Sequence, residues 1–274
     1  ESVFVKDPFN AERIQNVTFS GTVRLGLFNG VARERCGLPL MRGIKNAHIH
    51  NCTIADNVTI TDITGFIANY DIGEGVVIRN CGHISTEGHT SFGNGTRVAV
   101  LNETGGREVP IWDRLTSHMA YIITLYRHRP AAIAEIEKLI DDYAEGVRSD
   151  RGEIGSGSYI AGCGTIKNVR IGNGAVIEDV SRLEEGSVNS SFRDPVHIGN
   201  DVIMDHFIIC SGSKVNDAAV IDKCFIGQGC ILSKQYSAEN SLFFSNCGGY
   251  HGEACSIFAG PYTVTHHKST LLIA

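Results

Sequence analysis

The sequence predicts an all-β solenoid, a coil of three short strands per turn, with an α-helical hairpin inserted between coils. Three observations predict it. Glycine is frequent, 31 of 274 residues, and "IGxG" tetrads punctuate the chain at Ile72, Ile154, Ile171 and Ile226, with "IGND" at Ile198. Aliphatic residues recur around these anchors at steps of mostly five or six. One series is Ile44, Ile49, Ile54, Ile60, Ile67, Ile72, Ile78 and Ile84; a second runs Ile154, Ile160, Ile166, Ile171, Ile177; a third runs Ile198, Ile203, Ile209, Val215, Ile221, Ile226, Ile231. Between Ile84 and Ile154 this spacing vanishes and a helical period replaces it.

Neither the 3.6-residue period of a helix nor strict strand alternation explains steps of five and six. A coil does. Each short strand turns one aliphatic side chain inward, and Gly, Asn or Asp accepts the unusual backbone angles of the following turn. Three steps close one turn of a triangular prism, so coils stack and bury a continuous aliphatic column. Small residues four positions after an anchor (Ser158, Gly164, Ala175, Ala219, Cys230) fit the narrow corners. The first coils are expected over residues 44–84 and the main coils over 154–274.

The pattern resembles the left-handed parallel β-helix of the hexapeptide-repeat superfamily, over about 160 of the 274 residues. The six-residue runs Ile154–Ile160–Ile166 and Ile203 onward favour the left-handed form. The five-residue run Ile44–Ile49–Ile54 keeps a pentapeptide-type or irregular right-handed β-helix as the alternative. Within the superfamily, the chain looks closest to uncharacterised bacterial proteins with long hexapeptide arrays, described loosely as sugar-nucleotide pyrophosphorylase-like. The resemblance implies a homotrimer, an acyl-CoA or acyl carrier protein donor bound between prisms, and a histidine base acting on a sugar hydroxyl or amine. One branch of the superfamily instead holds zinc between subunits.

The interruptions come next. Residues 85–153 form the insertion, loop-like at first with a short strand near Arg97. Trp112, Leu115, Met119, Ile122 and Tyr126 then share a helical face entered through Pro110. Pro130 starts a second helix with Ile133, Ile136, Leu139, Ile140, Tyr143 and Val147 on one side, ending near Gly146. The hairpin is expected over about 111–148. Its plain role is to pack on the prism; its sharper role is to wall a substrate groove or build a subunit interface. Residues 180–197 read as a loop thrown out at a corner, and residues 1–43 as cap strands. The closing "STLLIA" reads as an anchor strand awaiting another coil, so the polypeptide is expected to continue past Ala274.

Composition narrows the function. Net charge is −6, with 20% charged and 42% hydrophobic residues, which describes a folded globular chain. No run of Lys and Arg offers a nucleic-acid footprint, and no apolar stretch approaches the ~20 residues of a membrane helix. The opening "ESVFVKDPFN" lacks the basic start and apolar core of a signal peptide. Nine cysteines, from Cys36 to Cys255, are scattered without a Cys-x-x-Cys pair. They fit small buried residues in a reduced, cytoplasmic protein.

Walker, dinucleotide-binding, nucleophile-elbow and zincin motifs are missing, and the "IGxG" tetrads are turns rather than phosphate loops. Histidine remains. The segment "NCGGYHGEACSIFAGPYTVTHHKST" carries His251, Glu253, His266, His267 and Lys268 among Tyr250, Phe258 and Tyr262. An imidazole beside a carboxylate suits general-base work near neutral pH. His251 and Glu253 would share a strand face, whereas His266 and His267 would point to opposite faces. The plain alternative for each is a surface or packing residue. Cys247, His251 and Cys255, with His89 or His266, form a competing metal set, although the glycines between them argue against the helix that spacing suits. His206, three residues past Ile203, falls at a predicted corner, where the superfamily often places a catalytic or metal-binding histidine. His48 and His50 read as a solvated strand face.

The leading expectation is a transferase acting on a sugar or nucleotide-sugar with an acyl cargo from acyl-CoA and no tightly bound cofactor. His251, His266, His267 or His206 would be the base and Glu253 its orienting partner. Lys268, Arg193 and Tyr262 would hold substrate, the first two through phosphate. The rivals are a non-catalytic scaffold and a zinc-dependent lyase or hydrolase.

Overall fold

The computed structural model of the chain describes residues 2–34 and 37–274. The described residues are mostly β, with one 26-stranded sheet, two short antiparallel ribbons and two α-helices. Every pairing in the large sheet is parallel, and the registers sort into three columns. The first column stacks Ile14, Ile44, Ile60, Ile78, Ile160, Ile177, Ile198, Val215 and Leu232. The second stacks Phe19, Ile49, Ile67, Ile84, Ile166, Leu183, Met204, Ile221 and Ala238. The third runs from Leu25 through Ile54, Ile72, Ile154, Ile171, Val188, Ile209 and Ile226 to Phe243. The chain visits the columns in that order, and all three bury their inward residues in one hydrophobic cluster. This pairing is consistent with a parallel β-helix. No helix among the described residues is long and apolar enough to cross a membrane.

The five-residue steps have a local cause. Between the second and third columns a single residue in the left-handed region turns the chain: Asn168 (φ 55°), Glu185 (46°), His206 (47°), Lys223 (47°), Asn240 (47°) and Ser256 (53°). Asn tolerates that conformation best, because its short polar side chain bonds locally. The Asn168 side chain instead bonds across turns, accepting from the Glu87 backbone N–H at 2.7 Å and donating to Glu185 Oε1 at 2.6 Å.

The interior is not purely aliphatic. Tyr70, Phe207 and Tyr236 are fully buried, each against a glycine of a neighbouring turn. A Cβ on Gly152 would lie 2.4 Å from the Tyr70 ring, one on Gly186 2.3 Å from Phe207, and one on Gly249 2.7 Å from Tyr236. These glycines are there for space. Of the eight described cysteines, Cys52, Cys81, Cys163, Cys224, Cys230 and Cys247 are buried and none is paired. Burial pushes the Cys52 thiol up to about 11 and Cys210 up to about 12, as for inert packing residues. Cys36 lies outside the described residues.

The insertion docks on the outside of the third column. There the outward residues Ile208, Phe225, Leu242 and Phe258 are stacked in register, so this face is apolar on both sides. Val98, Val109, Ile111, Trp112, Ile123 and Ile140 of the insertion cover it and form a second hydrophobic cluster. The packing role of the hairpin is therefore realised. Two short strands, Arg97–Ala99 and Glu108–Pro110, pair antiparallel before the helices α1 (Ser117–Leu125) and α2 (Pro130–Gly146).

Asp113 pins the unit down, accepting from Arg170, from Asn189 Nδ2 at 2.9 Å and from Tyr143 Oη at 2.8 Å. Asp113→Ala leaves the mostly buried Arg170 without its counter-ion. It should cost about 2 kcal/mol after allowance for the partial exposure of Arg170. Urea unfolding would check this; a loss within experimental error would mean the network contributes nothing.

Several local expectations change. Residues 14–25 already form a turn of the helix, paired in register with 44–54. The 180–197 segment is not a loop throughout: Arg182–Asn189 is a strand that buries Leu183 and Val188, and 180–181 and 190–196 lie outside the sheet. Met204 and Leu232 fill the core positions expected of Ile203 and Ile231, which lie one residue out of phase. At the corner expected of Gly164, it is Cys163 that points inward. α1 starts at Ser117 because Thr116 caps it, its hydroxyl accepting from the Met119 N–H at 3.2 Å. Its buried face is Ala120, Ile123 and Thr124, leaving Ile122 and Tyr126 exposed.

Candidate functional site

The corner between the second and third columns lines up several ionisable groups. In strand Ile203–Cys210, Met204 points in and Asp205 out, His206 turns the corner and Phe207 returns to the core. Asp205 stacks in register between Glu184 and Asp222, and Asp222 on Glu239, one rung (about 4.8 Å) apart. Lys167 and Arg182 neutralise Glu184 at 3.7 and 3.4 Å. Asp222 and Glu239 have no ion pair among the described residues. Lys223 and Asn240 follow His206 along the same corner.

His206 Nδ1 lies 2.7 Å from Asp205 Oδ1. An ionised carboxylate can only accept, so Nδ1 carries a proton; in the neutral imidazole Nε2 then presents its lone pair. The two side chains are 44% and 29% exposed, open to a solute. One ligating atom each from Asp205, His206 and Asp222 lies within 4.8 Å of the others, a spacing a single cation can bridge.

The insertion frames this corner at both ends. Thr90 Oγ1 donates to Glu185 Oε2 at 2.7 Å, and Gly93 passes so close that a Cβ would lie 2.7 Å from the Phe207 carbonyl. Further along, the Leu101 N–H bonds the Ser256 carbonyl at 2.8 Å. There burial, and then the hydrogen-bonded Glu103 carboxylate, hold the Cys255 thiol above its ordinary range. His206, Lys223 and Asn240 occupy the stretch between these crossings.

The other sequence-predicted residues lie elsewhere. His251 and His267 are left-handed residues of the first–second corner, with Lys268 next to them. The rung of His251 is about 14 Å along the axis from that of His206, and the rung of His267 and Lys268 about 19 Å. His251 Nδ1 faces the Lys234 carbonyl at 3.3 Å, and no hydrogen bond among the described residues joins it to Glu253, which projects from the second column. His266 stacks flat on Tyr250, ring centroids 4.8 Å apart. Tyr262 is 74% exposed at the third–first corner. Arg193 belongs to that corner too, beside Phe192, which lies over Gly157 and Gly174. Cys247 is buried with its thiol on the Gly260 carbonyl at 3.2 Å, while Cys255 projects from the second column. Cys247, His251 and Cys255 therefore point in three directions.

Sequence reasoning finds His206 but misses Asp205, Asp222 and Lys223. The signal for them is a 17-residue period: Asp205, Asp222 and Glu239 are equally spaced, as are His206, Lys223 and Asn240. Reading the chain in rungs rather than in segments brings both rows together.

An uncharacterised protein of Treponema pallidum (strain Nichols) is 27% identical over 224 residues, 78% of this chain. The chain spans 31% of that relative's length. A family model described as a domain of unknown function, DUF4954, matches residues 1–274. The chain belongs to the DUF4954 family.

Proposed function

We propose that the His206 corner is the active site of a group transferase on a left-handed, hexapeptide-type β-helix. The reaction is acyl transfer from an acyl-CoA to a hydroxyl of a sugar or nucleotide-sugar. The observation that carries this reading is the 2.7 Å contact between Asp205 Oδ1 and His206 Nδ1, which leaves Nε2 free as a base. The turns of six, six and five residues support the fold type. The acceptor oxygen attacks the thioester carbonyl carbon as its proton passes to His206 Nε2. The carbon–sulfur bond then breaks, and the thiolate leaves and takes up a proton. Asp205 stabilises the imidazolium, and the Lys223 ammonium, the next residue along the corner, attracts donor phosphates. Acceptor-dependent release of coenzyme A from acetyl-CoA, across a panel of sugars and UDP-sugars, tests the reading. If no acceptor stimulates release, the scaffold alternative is preferred.

The spacing of Asp205, His206 and Asp222 favours a second reading, a zinc-dependent lyase or hydrolase at the same corner. Three protein ligands and a water complete a catalytic zinc site. On that reading Asp222→Asn lowers zinc affinity about 10- to 100-fold in calorimetric titration. Equal zinc binding by the variant and the parent protein rejects it.

A further inference from the structure

We propose that the cavity between the N-terminal ribbon and the first column is a binding site for an organic phosphate monoester, held by Arg13, Arg42 and Lys45. The inference is independent of the His206 corner. The cavity, about 300 Å³, lies between the strand Pro39–Met41 and the outer face of the column at Ile44. That volume is at the lower end of small-molecule sites.

Its lining carries Arg13, Arg42 and Lys45 against Glu12 and Asp62. Arg13 and Arg42 are half-buried, yet neither meets a carboxylate among the described residues. Arg13 Nη1 reaches the Gly30 carbonyl at 3.4 Å and Met41 Sδ at 3.7 Å, and Arg42 Nη1 reaches the Gly75 carbonyl at 3.3 Å. Burial lowers the Arg42 pKa from its ordinary value. The Lys45 side chain is exposed and has no partner among the described residues. Glu12 and Asp62 also line the cavity, but both are exposed at its rim, and Asp62 Oδ1 is engaged by Asn46 Nδ2 at 2.6 Å. A half-buried guanidinium that meets no carboxylate gains most from an anion that accepts two hydrogen bonds, which phosphate does. Pro39, Leu40 and Met41 form the opposite wall and suit an apolar substituent on that phosphate.

Isothermal titration of the purified protein with phenyl phosphate, inorganic phosphate and phenol tests this. Phenyl phosphate should bind saturably and more tightly than inorganic phosphate, phenol should not bind, and added salt should weaken binding. Arg42→Gln should weaken phenyl phosphate about 10- to 100-fold, and Lys45→Gln about 3- to 10-fold. The Lys45 side chain makes no hydrogen bond or ion pair among the described residues, so its variant keeps the test decisive if Arg42→Gln does not fold. No saturable binding of phenyl phosphate overturns the proposal, as does unchanged affinity in Lys45→Gln together with any folded Arg42→Gln protein.

Discussion

Phe207→Ala is expected to lower the stability of the protein by about 3–5 kcal/mol, the range for deleting a fully buried aromatic ring. The ring is 0% exposed and sits between turns, where the neighbouring strand has Gly186 in place of a side chain. The two residues are complementary. Gly186→Ala places a methyl group 2.3 Å from the ring, and in so packed an interior the overlap costs about 1–3 kcal/mol. In the double variant the new methyl enters the space the ring has left. The combined loss should therefore fall short of the sum by about 0.5–3 kcal/mol. Urea denaturation of the four proteins measures this, read as shifts in the midpoint. Strict additivity would show that the ring does not lie over Gly186.

His206→Ala is expected to lower kcat about 10²- to 10⁴-fold in the acyl-transfer assay, with little change in KM, because a general base acts in the transition state. Asp205→Asn is expected to be milder, about 10- to 100-fold, the worth of one charge-assisted hydrogen bond to the imidazolium. An amide at that position can donate to Nδ1 and so favours the tautomer in which Nε2 is protonated and cannot accept a proton. A variant series in which Asp205→Asn costs more than His206→Ala would contradict these roles.

The repeat was legible because its chemistry is local. Each "IGxG" turn announces itself, and each inward aliphatic is constrained by its own strand. What failed did so where two apolar residues are adjacent, as in Ile203–Met204 and Ile231–Leu232. There local pattern cannot say which one faces in, and only the register with neighbouring turns decides. Arg182–Asn189 read as a loop because its inward residues, Leu183 and Val188, are separated by "EEGS", in which Glu185 takes a left-handed conformation usually left to Asn or Gly. The doubled apolar runs at Ile208, Phe225 and Leu242 have a similar explanation. They serve the core and the docked insertion at once.

The site was half legible for the same reason. The histidines clustered in sequence meet at a different corner: His251 and His267 turn the first–second corner on adjacent turns and His266 stacks on Tyr250, three or four turns away from His206. Residues 17 apart are brought within one rung of each other. His206 and Asp205 are adjacent in both senses, and Asp222 and Lys223 join them only through the stacking of turns.

Rates of acceptor-dependent coenzyme A release, measured side by side for the parent protein, His206→Ala and the double variant His251→Ala/His267→Ala, test the central claim most directly. The account predicts that His206→Ala loses about 10²-fold or more while the double variant stays within a few-fold of the parent. Loss of activity in the double variant with retention in His206→Ala would contradict it.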